Sequence, residues 1–514
     1  GGYNTAIGDT ALKTNTSGAA NVAVGRDALE LNTTGCQNTA LGQNVMYTNV
    51  SGDFNTAVGR EALYSNTTGS SNTAVGKSAL TANTTAANNV AVGYLSLDAN
   101  TTGATNVAMG RGSLGANTTG SCNVAIGDLA LVAATTVSQN TAIGMLSMTA
   151  TTSGIRNTAV GRQSMCANTT GCCNVAMGSN ALASGTTGDF NVAVGGAALG
   201  SVNTGNCNTA IGACAMNTNT SGANNTAVGK SALLANTTGT QNVAIGTLAL
   251  DANTSGNELT AMGYNSLGAN TTGCYNVAVG DNALAANTTG NDNTTIGMRS
   301  LLNNTTGTNN TGVGRNALRE NTTAANNTAV GSSSLACNTT GASNVAVGAE
   351  ALDANTTGAE NTAVGRFALT SNTEGDENTA VGRYSLGTNT TGENNTALGH
   401  STIENNTTGD FNVGIGHGAL QANTTADNNT AVGYQSLDAN TEGHSNVAVG
   451  KGSLSANTSA DENTAVGFNA LADNTTGHSN VAVGACALIT NTTSRDNVGL
   501  GFCALHANTT GSRN

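Results

Sequence analysis

The chain has 514 residues, of which 3% are aromatic and 9% charged, with 68 Gly and neither Pro nor Trp. So few large rings cannot fill the thick core of a globule of this length, and so little charge does not mark a disordered chain. The net charge of −13 argues against general affinity for nucleic acid or anionic membrane, and no apolar run approaches the roughly eighteen residues of a spanning helix.

The chain is a repeat throughout. Steps of seventeen from Asn4 through Asn21, Asn38 and Asn55 to Asn514 meet Asn at thirty-one positions except Leu259, without insertion or deletion. The opening GGYNTA carries no Met or signal peptide, and neither end reads as the cap that a solenoid requires. Residues 1–514 are therefore read as one continuous repeat region of a longer fibre protein.

Counted from its Asn, a repeat begins Asn-Thr/Val-Ala-Val-Gly, as in Asn55, Thr56, Ala57, Val58 and Gly59. Alternation over these columns predicts a short strand. A second short strand is expected over columns 7 to 11, around the invariably aliphatic column 9, such as Leu63. Columns 12 to 15, Asn-Thr-Thr/Ser-Gly beginning at residues such as Asn66, form the return corner, because Asn and Gly favour turns. Two glycines per repeat and an excess of Asn, Thr and β-branched residues disfavour helix. The fold class is thus all-β, a parallel β-solenoid or β-roll of about thirty 17-residue rungs. At about 4.8 Å per rung this makes a rod on the order of 140 Å long.

Stacking places identical residues above one another. Columns 4 and 9 are expected to face inward as aliphatic ladders, and columns 1 and 12 to form Asn ladders bonded between rungs. Column 5 is Gly in all thirty repeats, which implies a positive φ or a backbone too close for a Cβ. Column 15 accepts Ala86, Ala324, Ala426, Ala460, Val137 and Ser494, which implies a more ordinary backbone. If column 4 points inward, the Ala and Gly of columns 3 and 5 point outward, and their smallness implies a face packed against other chains. In the converse arrangement columns 3 and 5 line a thin core and columns 2 and 4 make the interface. Both predict self-association.

The motifs NVAVGRDAL at 21–29, NVAIGDLAL at 123–131 and NTAIGDTAL at 4–12 resemble the YadA-like head repeats of trimeric autotransporter adhesins. The longer pattern, with its ALxxNTTG continuation, is also similar to repeats of phage tail-fibre proteins. The resemblance covers the whole chain. It implies a left-handed roll, a homotrimer about the fibre axis, and an extracellular, cell-surface or virion-surface location. The repeat here is longer and more uniform, and no stalk, neck or anchor is present in it.

Catalysis needs a singular constellation, which ladders do not offer, so no catalytic residue, cofactor or enzyme activity is expected. His400 and His417 share column 6 of adjacent repeats and are the one metal-ligand pair to consider, against the plainer reading of a surface His pair. Cys486 and Cys503 share column 7 of adjacent repeats, within disulfide range if rungs stack at β spacing. Cys172 and Cys173 would bridge chains only near an axis. Ten of the sixteen basic residues, among them Arg26, Arg60, Lys77, Arg111, Arg366 and Arg383, lie in column 6, interrupted by Asp9, Asp128 and Asp281. That stripe reads as a solvated edge that discourages aggregation, with an anionic glycan as the alternative. The Asn-Thr-Thr/Ser corners are also glycosylation sequons.

The function expected is a structural fibre or adhesin shaft that spaces and presents attachment regions. Its partner is itself, together with surface glycans or a host receptor met through the variable columns. The alternative is an ice-binding solenoid using the Thr of columns 13 and 14, which requires a flat face bearing two Thr ranks.

Overall fold

The computed structural model describes residues 1–201 and 204–514. It is composed of two compact units, Gly1–Glu258 and Leu259–Asn514. Among the described residues the first carries fifteen strands, from β1 (Thr5–Ile7) to β15 (Val243–Ile245), and the second fifteen more, from β16 (Thr260–Met262) to β30 (Val498–Leu500). Among the described residues there is no helix. Every strand has three residues, columns 2 to 4, and within each unit it pairs in parallel with the strand one repeat away. Thus Thr56, Ala57 and Val58 face Thr73, Ala74 and Val75. Both units are parallel β-solenoids with one strand per rung.

The strand is oriented opposite to the first expectation. Ala57 is fully buried, whereas Val58 is half-buried and Thr56 exposed. Column 3 lines the core and column 4 faces outward. Gly312 shows why: a Cβ there would press on Ser300 and Leu301, from columns 8 and 9 of the preceding rung. Column 3 meets columns 8 and 9 directly across a very narrow rung, so a methyl fits and a valine does not. Pleating then turns the branched column 4 outward. The core is made of Ala57, Ala62 and Leu63 and their equivalents, joined by the fully buried Asn55 and Asn66.

The second expected strand is absent. In its place columns 7 and 9 adopt left-handed conformations, with φ of 58° at Glu61 and 53° at Leu63, and column 17 does the same, as at Phe54 with 59°. Alternating the backbone in this way points successive amides in opposite directions along the axis. The Glu61 amide donates to the Gln43 carbonyl of the preceding rung at 3.0 Å, and the Leu63 amide donates to Ala79 of the following rung at 2.9 Å. Left-handed non-glycine residues are normally costly, and here hydrogen bonds to both neighbouring rungs hold them. The sequence does carry a signal for this. Across columns 7, 9 and 17 the only β-branched residues are Thr10, Thr105 and Ile403, as expected where φ is positive.

Gly59 meets both conditions expected of column 5. Its φ is 129°, and a Cβ would stand 2.6 Å from the Gly76 carbonyl oxygen.

Candidate functional site

The buried amides form two ladders. In column 1, Asn55 Nδ2 donates to the Gly69 carbonyl at 2.9 Å, and the Asn72 amide donates to Asn55 Oδ1 at 3.0 Å. In column 12, Asn66 Nδ2 donates to Asn49 Oδ1 at 2.7 Å and to Gly69 O at 2.9 Å. Each side chain ties its own corner to a neighbouring rung. These residues hold the fold, and chemistry has to be sought on the outside.

The Thr corner presents one exposed rank. Thr67 Oγ1 donates to the Thr84 carbonyl of the next rung at 3.0 Å, an arrangement repeated along column 13, for example from Thr373 to Thr390 at 3.1 Å. Thr68, in column 14, is exposed, and the corner bends there.

The outward strand face is apolar. Leu41, Met109, Met177, Ile211, Met262 and Leu398, all in column 4, are 40% to 47% exposed. Val and Thr of column 2 lie beside them on the same face of the strand.

Column 6 of the second unit bears a run of rings and cations over seven successive rungs: Arg366, Arg383, His400, His417, Tyr434, Lys451 and Phe468. Arg366 and Arg383 sit over the column 7 rings of Phe367 and Tyr384 at 4.3 Å and 4.6 Å, and those two rings stack at 5.1 Å. The His400 and His417 rings stack at 5.1 Å and 4°, and His417 stacks on Tyr434 at 5.5 Å. Lys451 Nζ lies between Tyr434 at 5.7 Å and Phe468 at 5.9 Å. Ring faces are thus spaced by about one rung and cover one another. Two parallel imidazoles present their nitrogens side by side and do not converge on an ion. Among the described residues no group of three or more His, Cys, Asp or Glu side chains is placed to hold a metal.

Elsewhere one interruption of the basic stripe, Asp128, is paired with it. Arg111 Nε donates to Asp128 Oδ1 and Nη2 to Oδ2, both at 2.8 Å. This pair holds the Asp128 carboxyl below its usual range. Cys486 and Cys503 are half-buried free thiols in adjacent rungs. Burial, the charge of Cys486 and a hydrogen bond to it push the Cys503 thiol up. Cys172 and Cys173 are free as well.

Next to the ring run, the same face opens into a groove of about 420 Å³. Its floor is small, Gly452, Ser455 and Ala456, and its ends are polar, with Gln435 and Asp438 on one side and Asn469 and Asp473 on the other. Tyr434 and Lys451 form the wall. Gly452 opens it: column 7 carries Gln435 and Asn469 in the rungs on either side, and here it has no side chain. Burial raises the Asp438 carboxyl above its usual range, and Asp438 Oδ1 is buried without a hydrogen-bond partner. Sequence reading missed this groove, because it depends on small residues in columns 7, 10 and 11 of one rung falling together.

Compared with known proteins, the chain matches no protein-family model and no curated protein.

Proposed function

We propose that this chain is a non-catalytic shaft of an extracellular fibre or adhesin, displayed on a cell or virion surface, which spaces and presents attachment regions. The observation that carries this reading is the pair of buried Asn ladders running beside an unbroken in-register backbone ladder within each unit. Each interior rung of a unit is bonded on both sides, so extending or bending a unit must break many hydrogen bonds together. Uniform repetition suits a spacer, whereas catalysis needs a singular site.

The shaft assembles from copies of itself, three in the reading that the YadA-like resemblance favours, each coiled left-handed. The outward apolar rank of column 4 supports association, because a continuous exposed apolar stripe marks an interaction face. That face replaces the Ala/Gly face as the interface. Ice binding draws little support, since most corners expose one Thr and column 13 hydroxyls such as that of Thr67 are already bonded within the chain.

Light scattering on the native protein tests the assembly. A mass of about 150 kDa, three times the 50.3 kDa chain, is expected, falling to the monomer when Met177, Ile211 and Ile245 are changed to Lys. A native monomer would overturn the assembly. Rapid cleavage within the repeats by a nonspecific protease would overturn the shaft.

A further inference from the structure

We infer that the groove between Tyr434 and Asp473 is a binding site for a neutral saccharide, about two linked pyranose rings long. The inference goes beyond the shaft reading and does not rest on it, because the groove lies within one chain.

Size comes first. A volume of about 420 Å³ falls in the range of about 300–1,000 Å³ typical of small-molecule sites. Asp438 and Asp473 lie two repeats apart along the chain, which at the β spacing is about 10 Å along the axis, comparable with two linked sugar rings. A monosaccharide would reach only one of them.

Chemistry narrows the class. The ends offer acceptors in two carboxylates and both donors and acceptors in the amides of Gln435 and Asn469, and the floor adds the Ser455 hydroxyl. A ligand matching this set must itself both donate and accept at closely spaced points, as vicinal hydroxyls do. Ionised carboxylates accept such hydrogen bonds more strongly than neutral groups. The Tyr434 ring, 46% exposed, adds an apolar edge for the C–H face of a sugar.

Charge excludes the neighbouring classes. Two carboxylates repel a sulfated or sialylated glycan despite Lys451. Lys451 in turn repels a diamine or a lysine side chain, and the ring face that would attract such a cation is already occupied by Lys451 Nζ. A neutral polyol is compatible with every group on the wall.

The test applies the native protein to an array of neutral, sialylated and sulfated oligosaccharides, then titrates the best neutral disaccharide by saturation-transfer NMR. Two variants report on the groove. Gly452→Gln fills it with a residue that column 7 already carries at Gln163 and Gln435, and a Cβ there meets only the Asn469 side-chain tip at 2.5 Å. Asp438→Asn removes the charged acceptor. Binding of neutral sugars, weakened at least tenfold by either variant while the circular dichroism spectrum is unchanged, is the expected result. No neutral sugar bound at 10 mM, binding of anionic glycans alone, or binding indifferent to Gly452→Gln would each overturn the inference.

Discussion

Gly414 and Thr402 are a matched pair: a Cβ on Gly414 would stand 2.6 Å from Thr402 Cγ2 and 2.7 Å from Ile403 Cγ1. Column 3 is Ala in most rungs, and column 8 is Ala or Ser except at Val45 and Thr402. Where column 8 enlarges to Thr402 and column 9 is the β-branched Ile403, the facing column 3 shrinks to Gly414. Total volume across the rung is thereby kept.

Gly414→Ala should therefore overpack this rung and cost about 1–3 kcal/mol. Adding Thr402→Ala and Ile403→Leu, which restore the common residues, should recover most of that loss. In a repeat chain the damage is local, so amide hydrogen exchange around residues 398–420 is the measurement. An equal loss with and without the compensating changes would refute the pairing.

The column 12 ladder lapses at Ala134 and Thr151, and the sequence departs from Asn again in that column at Gly185 and Val202. Asn117 Oδ1, one rung before Ala134, is buried without a partner. Ala134→Asn restores the donor and should stabilise by about 1–2 kcal/mol, the value of satisfying a buried acceptor. Thermal denaturation reads the gain; a drop in Tm would show that the corner there has closed over the missing amide.

Ser231 occupies column 7 with φ of 56°. Ser231→Val should cost about 1–3 kcal/mol, because a β-branched residue is strained at positive φ. Ser231→Asn should be neutral or mildly stabilising. Chemical denaturation of the two variants compares them directly, and equal stability would mean that the ladder hydrogen bonds do not hold this conformation.

Asp98, Asp251, Asp353 and Asp438 all lie in column 10, and burial is the main cause that raises each carboxyl above its usual range. At Asp353 the charge of Glu350 adds to the rise and Arg319 opposes it. A raised folded-state value means that the folded chain holds the proton more tightly than the unfolded one. Ionisation at neutral pH thus lowers stability, and protonation relieves the penalty as pH falls through the raised value and on below about 4. Asp353→Asn should raise Tm at pH 7, with the gain shrinking towards pH 4. A gain that persists unchanged at pH 4 would locate the effect elsewhere.

The parallel solenoid of seventeen-residue rungs was legible because each rung is specified by its own seventeen residues and repeated without slip, although only one of the two strands expected in each rung forms. Asn55, Gly59, Leu63 and Asn66 stand out because their columns change little or, at Gly59, not at all, and such constancy under stacking has few physical causes: a core ladder, an amide ladder, or a backbone with no room for Cβ. The orientation of Ala57 and Val58 was not legible. Alternation identifies two faces but not which is inside, and the larger aliphatic is the natural choice for a core of ordinary width. The left-handed residues were hidden for a related reason. Leu63 looks like a strand residue, and only the avoidance of β-branched neighbours in its column hints otherwise.

The external features divide in the same way. The adjacency of His400 and His417 follows from the period alone, but a period cannot show that the rings stack face to face and leave no convergent pair of nitrogens. The groove at Gly452 was invisible, since it arises from three columns meeting around one turn. What the sequence determined by itself is what depends on translation along the axis: period, register, ladders and the need for glycine. What only the tertiary structure decided is what depends on the path around the rung. That path, through the narrow space between column 3 and columns 8 and 9, decides which side chains are buried, which face is free to meet another chain, and where the surface opens.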